Sequence, residues 1–310
     1  MRNLFTLSDL VYVAYPMVPL RALCALARLH GRWLYLTNRQ SAAAVRDNLA
    51  NVEGSGTAGD VRAMALSFFQ YKSLRNLLFI LAPKLTDRVM SRLFTVEGMD
   101  RLDRSLASGH RGVILLCTHL NSLSIFLLVV MLRRRGYDLR VALASPRDTW
   151  SPSWFRSRYN RLTGDRTYHE HIGAFYCQFN IRPIVRALGE GAAIVQTGDG
   201  WHSAAFAEVN FLDRRLPFTT GMLRVAQQTG ATVVPVFTDG KPPDRLRFEV
   251  GEPFTISSDE PVEAHVAAFA KRLEQHVLSN LECWEHWLVP HALATMAGWQ
   301  QQPIEKRYSF

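Results

Sequence analysis

Cysteine is scarce in this chain: Cys24, Cys117, Cys177 and Cys283 lie far apart, with no Cys-x-x-Cys pair. That spacing excludes a disulfide framework and the usual structural zinc site, and it fits a reduced protein facing the cytosol. Long hydrophobic runs are also missing. The uncharged stretch from Leu10 to Leu20 contains Pro16 and Pro19 and ends at Arg21, well short of the roughly 20 residues of a spanning helix. No cleavable signal is evident, because Asp9 follows Arg2 closely and no small-residue cleavage site follows the apolar region. The chain holds no G-x-S-x-G elbow, no Walker loop and no H-E-x-x-H, which removes the common signatures of serine hydrolases, P-loop enzymes and zinc proteases. Gly54-Ser-Gly56-Thr-Ala-Gly59 matches a dinucleotide string, but it follows a helical stretch rather than a strand and reads as a flexible loop. His169-Glu-His171 offers two imidazoles at i, i+2 and needs further ligands from elsewhere, so no metal is expected. Acidic residues are outnumbered, 27 against 36 basic, for a net charge of +9. The surface should therefore attract anions, whether nucleic acid, an anionic membrane face or a phosphorylated or acidic substrate.

What is present centres on residues 113–132. Val113 to Cys117 is an unbroken apolar run of the length of a buried strand. Thr118 and His119 follow it, Asn121 or Ser122 can cap a helix, and Ile125, Phe126, Leu127, Leu128 and Met131 give that helix its apolar body. Arg133, Arg134 and Arg135 suit the helix carboxyl end and Gly136 stops it. A histidine between a buried strand and the helix that follows lies where open α/β sheets bind ligands.

Around this stretch the chain divides into a helical amino-terminal region, 1–95, an α/β core, 96–288, and a polar tail, 289–310. Leu20, Leu23, Cys24, Ala27, Trp33, Leu34 and Leu36, interleaved with Arg21, Arg28, His30 and Arg32, read as a helix lying in a membrane interface. Strands are expected at 139–144, 192–196, 208–212, 231–237 and 246–250, with Pro235 arguing for an irregular or edge position. A helix from Pro261 to about Asn280 buries Val262, Val266, Phe269, Leu273 and Val277. Strands alternating with helices predict an α/β fold with a mostly parallel central sheet flanked by helices. Trp150 to Tyr168 mixes arginine with aromatics, a composition that suits stacking on bases or lining a lipid or phosphosugar groove.

Four elements in order carry the functional signal: strand–His119–helix; strand–Thr197-Gly-Asp199; Phe211-Leu-Asp-Arg-Arg215 leading to Thr219-Thr-Gly221; and Val233-Val-Pro235-Val. This order resembles the lysophospholipid acyltransferase superfamily, and within it the lipid A late acyltransferases that move lauroyl or myristoyl chains. Val45-Arg-Asp-Asn48-Leu49 is similar to that family's helical R-x-N-L segment, Phe94 to Gly112 to its approach to the histidine, and Cys283-Trp284-Glu285-His286-Trp287 to its closing W-x-H element. The resemblance implies a peripheral enzyme on the cytoplasmic face of the inner membrane. It would carry an acyl group from an acyl carrier protein or coenzyme A thioester to a membrane lipid acceptor, without metal or organic cofactor and without nucleic acid.

In that family the histidine is followed, after four residues, by Asp or Glu. Here Ser124 stands at that place. The histidine removes the acceptor's proton and the carboxylate holds the imidazole, stabilising the imidazolium as it forms; a hydroxyl offers only a neutral hydrogen bond. His119 and Ser124 are therefore the expected catalytic pair, with Asp148 or Asp199 as distant acids able to substitute. Asn121, Arg147, Asp199, Arg214 and Arg215 are the expected substrate-binding residues, the arginines because guanidinium suits phosphate. The competing readings are a catalytically silent relative that binds lipid or acyl carrier, and a hydrolase using Ser122 or Ser124.

Overall fold

The computed structural model describes residues 15, 17–54, 56–108, 111–143, 174–176, 181–200, 205–241 and 246–299. Four helices come first: α1 (Leu20–Thr37), α2 (Arg39–Ala50), α3 (Ala58–Leu81) and α4 (Asp87–Leu93). Then follow β1 (Phe94–Glu97), α5 (Met99–Ser108), β2 (Val113–Cys117), α6 (Ile125–Arg134), β3 (Leu139–Leu143), β4 (Ala174–Tyr176), α7 (Arg182–Gly189) and β5 (Ala193–Thr197). The hairpin β6 (Phe206–Phe211) and β7 (Arg214–Thr219) leads to α8 (Gly221–Thr229), β8 (Thr232–Asp239), β9 (Leu246–Val250), α9 (Val262–Ser279) and α10 (Ala292–Trp299).

One seven-stranded sheet runs β1-β9-β8-β2-β5-β3-β4. Every neighbouring pair is parallel except β8 with β9, so the expected mostly parallel sheet is what forms. The unbroken apolar strands follow from burial on both faces. Along β2, Ile114 and Leu116 point into one hydrophobic layer while Val113, Leu115 and Cys117 point into the other. Gly112 opens β2 at φ +74°, and a Cβ there would stand 2.7 Å from the Leu188 Cα, so α7 packs directly on the strand's entrance.

Helix α3 also serves both layers. A Thr57–Asp60 capping box starts it. Its first half puts Val61, Ala65, Phe68 and Phe69 into one core, and its second half puts Leu74, Leu77, Leu78 and Leu81 into the other. Helix α1 crosses it at Gly31, where a Cβ would lie 2.5 Å from the Gln70 Cα. The amino-terminal helices therefore share both cores with the sheet.

Two expectations change. Pro235 sits in an interior strand, at the residue where pairing of β8 with β2 ends (Leu116 opposite Pro235) and pairing with β9 begins (Val236 opposite Val250). Its missing N–H falls at the changeover. The tail after Pro290 is not simply polar: it opens with α10, whose Ala292, Leu293 and Met296 are buried in the core.

Candidate active site

The site follows from strand register. Cys117 of β2 pairs with Thr197 of β5, and two residues beyond each, at the carboxyl ends of adjacent parallel strands, stand His119 and Asp199. Gly198 N–H donates to the Cys117 carbonyl at 2.8 Å, extending the pairing by one step. The His119 N–H then donates to both Asp199 carboxylate oxygens at 2.9 Å, and ring Nδ1 meets Asp199 Oδ1 at 2.8 Å. Asp199 is fully buried, while the His119 side chain is 30% exposed.

With Nδ1–H directed at the carboxylate, the lone pair of the imidazole lies on Nε2, which has no hydrogen-bond partner among the described residues. Burial alone would lower the His119 pKa, but the Asp199 charge and hydrogen bond, with a smaller contribution from Glu285, raise it above 6.5. Burial works against the Asp199 carboxylate, yet His119 and His286 pull its pKa down to about 2. The acid is thus ionised and the base is strengthened. The nearby thiols are inert: burial pushes Cys117 far up and Cys283 up to about 12.

A late segment of the chain encloses this pair. Leu281–Cys283 and Glu285–Leu288 are short 3-10 turns flanking Trp284, which forms an antiparallel bridge with Leu120. Trp284 Nε1 donates to Asp199 Oδ2 at 3.1 Å, and His286 Nε2 meets the Asp199 carbonyl at 3.2 Å. The His286 and His119 rings lie 4.4 Å apart. Glu285 N–H donates to the His119 carbonyl at 3.2 Å, and Asn121 N–H to the Cys283 carbonyl at 3.0 Å. The segment is held in turn by Asn48 of α2. Its amide donates to the carbonyls of Trp287 and Val289 at 2.8 Å, and its oxygen accepts from the Ala292 N–H at 2.8 Å.

The model for bacterial lipid A biosynthesis acyltransferases matches residues 4–292. The chain belongs to that family. It is an acyltransferase. A solved structure similar to it is the 1-acyl-sn-glycerophosphate (LPA) acyltransferase PlsC from Thermotoga maritima, at 17% identity and a TM-score of 0.40, over 82% of this chain and 95% of that one. No curated protein sequence matches.

Within this family member the expected site residues fall into three groups. His119 and Asp199 come together. Ser124 does not take the place of the motif carboxylate: Asp199 occupies His119 Nδ1, and the buried Ser124 hydroxyl makes no hydrogen bond among the described residues. Asn121 is also buried, in the left-handed region at φ 52°. Its oxygen accepts from Arg75 at 3.1 Å and its amide donates to the Gly240 carbonyl at 3.2 Å. It braces the loop and offers no polar atom to a substrate. Arg214 and Arg215 are exposed beside the Leu212–Asp213 turn of the hairpin, and Arg215 pairs with Glu208 at 2.8 Å. Neither is among the partners of His119 or Asp199. Arg147, Asp148, His169-Glu-His171 and the Trp150–Tyr168 stretch lie outside the described residues. Trp284, His286 and Asn48 are visible in the sequence only as motif letters; their roles depend on contacts across the whole chain.

Two groups place metal-ligating atoms close together: His119, Asp199 and His286; and Asp239, Glu249 and His276. In the first, the ligand atoms are engaged in the hydrogen bonds just described. In the second, Arg247 pairs with Asp239 at 2.6 Å and Arg272 with Glu249 at 2.6 Å, so guanidinium groups already neutralise both carboxylates.

Proposed function

We propose that this acyltransferase moves a fatty acyl group from an acyl carrier protein or coenzyme A thioester to a hydroxyl or amine of a membrane lipid related to lipid A precursors, with His119 as the general base and Asp199 orienting it. The observation that carries the reading is the 2.8 Å Nδ1–Oδ1 contact behind a partly open imidazole. The acceptor's proton passes to His119 Nε2 as its oxygen or nitrogen bonds to the thioester carbonyl carbon. The tetrahedral oxyanion then collapses, the C–S bond breaks, and the leaving thiolate takes the proton back from the imidazolium. Asp199 fixes the tautomer and stabilises the imidazolium, the work that the motif position at Ser124 cannot do. No metal or organic cofactor enters these steps.

Peripheral attachment to the cytoplasmic face of the inner membrane is part of this proposal. Leu26, Leu29, Trp33 and Leu36 of α1 are all more than half exposed, with Arg21 and Arg32 exposed beside them. An apolar stripe flanked by cations suits an anionic interface. Among the described residues no helix is long and apolar enough to cross a membrane. The decisive experiment is thioester consumption with lauroyl-coenzyme A or lauroyl-acyl carrier protein and a bacterial lipid extract. His119→Ala should abolish transfer in protein that stays folded, with a lower Tm because the buried Asp199 carboxylate loses its partner; full activity in that variant would rule out His119 as the base.

A further inference from the structure

The His119 loop carries one more charge pair that the dyad does not explain, with its cation fully buried and its carboxylate 24% exposed. Arg75 lies in α3, and its side chain is fully buried. Its Nη1 donates to Asn121 Oδ1 at 3.1 Å and its Nε pairs with Glu285 Oε1 at 3.2 Å, while Nη2 makes no hydrogen bond among the described residues. The other Glu285 oxygen accepts from Ser122 Oγ at 2.7 Å, and the Glu285 backbone holds the His119 carbonyl. The loop around His119 is thus tied through its carbonyl, Asn121 and Ser122 to one ion pair. Burying the Arg75 charge is a poor way to gain stability, because its desolvation offsets much of the attraction to Glu285. The pair's usefulness here is geometric.

We propose that Arg75 and Glu285 are positioning residues for acyl transfer: the pair fixes the loop that aims His119 Nε2, and the Glu285 carboxylate sets part of the field at the imidazole. The proposal rests on the reading of His119 as the base. Among the described residues, the charged and titratable groups around His119 are Asp199 beyond β5, the protonated Cys117 thiol of β2, Glu285 and His286 from the closing segment, and Arg75 and Lys72 from α3 behind Glu285. Lys72 faces the same carboxylate, and burial lowers its pKa. Glu285 favours the imidazolium form of His119.

The test compares Glu285→Gln, Arg75→Met and the double variant with the parent. The readouts are Tm, kcat and KM for lauroyl-coenzyme A with a bacterial lipid extract, and the pH titration of the His119 ring by NMR. Each single variant strands a partner and can lower Tm; the double variant removes both charges and should stay folded. In the double variant kcat should fall on the order of 10²-fold with KM nearly unchanged, as expected for a displaced catalytic group. Glu285→Gln should move the His119 midpoint to lower pH, and Arg75→Met should move it upward. A folded double variant with parental kcat, or single variants with parental midpoints, would overturn the proposal. Full activity in His119→Ala would overturn the underlying base reading instead, and the NMR midpoints would still report on the pair.

Discussion

His119 and Asp199 act as a unit whose two protonation requirements pull apart. A folded-state pKa above 6.5 for His119 contributes stability below that value, which is lost as pH rises through the raised pKa. Asp199, lowered from 3.8 to about 2, contributes stability above 3.8 that is lost as pH falls through about 2. The dyad therefore supports the fold most strongly between those unfolded-state values, whereas the proposed base role needs neutral His119. The kcat/KM profile should rise with pH to a plateau, with a midpoint above 6.5; a midpoint at or below 6.5 would contradict the assigned field. Asp199→Asn should reduce kcat by roughly 10⁴, the cost known for converting a triad carboxylate to an amide, and should move that midpoint down. Ser124→Ala should leave kcat near the parental value in the thioester assay, since the hydroxyl makes no hydrogen bond among the described residues. Ser124→Glu should lower Tm, because it buries a second carboxylate without a partner.

At the scale of elements, α2 supports the site from a distance. Asn48→Ala would leave two carbonyls and an N–H unpaired in the core and should cost about 2–4 kcal/mol, read as a lower Tm. A loss under about 0.5 kcal/mol would show that the closing segment holds itself. This contact also marks the limit of what the chain discloses before folding. The β2 strand, His119 and α6 are legible because apolar runs, caps and stops are local signals. Asp199 is legible as one of two distant acids, and the register of β2 against β5 is what selects it. The bond from Trp284 to Asp199 and the three bonds of Asn48 are not legible, because no local pattern encodes a meeting between residues so far apart in the chain. Pro235 misleads for a related reason: its penalty depends on which neighbour is paired at that residue. Ala292 and Met296 escape notice because a short apolar helix beside polar residues has no periodicity long enough to read.

For the molecule as a whole, the amino-terminal helices are part of the folded body, and α1 exposes four large apolar side chains, Leu26, Leu29, Trp33 and Leu36. Trp33→Glu and Leu29→Glu change exposed positions and should leave Tm close to the parental value. They should weaken co-sedimentation with anionic liposomes several-fold, in proportion to the apolar area lost. Binding should also fall with added salt if the cations on the same helix meet the headgroups as proposed. Unaltered sedimentation of both variants would remove α1 from the membrane account.

The closing segment has a consequence in time. His119 and Asp199 leave the ribosome long before Trp284, Glu285 and His286. Until those residues emerge, the carboxylate lacks its indole donor and the histidine loop lacks its bridge partner. A chain cut before Leu281 should therefore form much of the sheet and still lose acyl transfer, because the contacts that close the histidine loop arrive last.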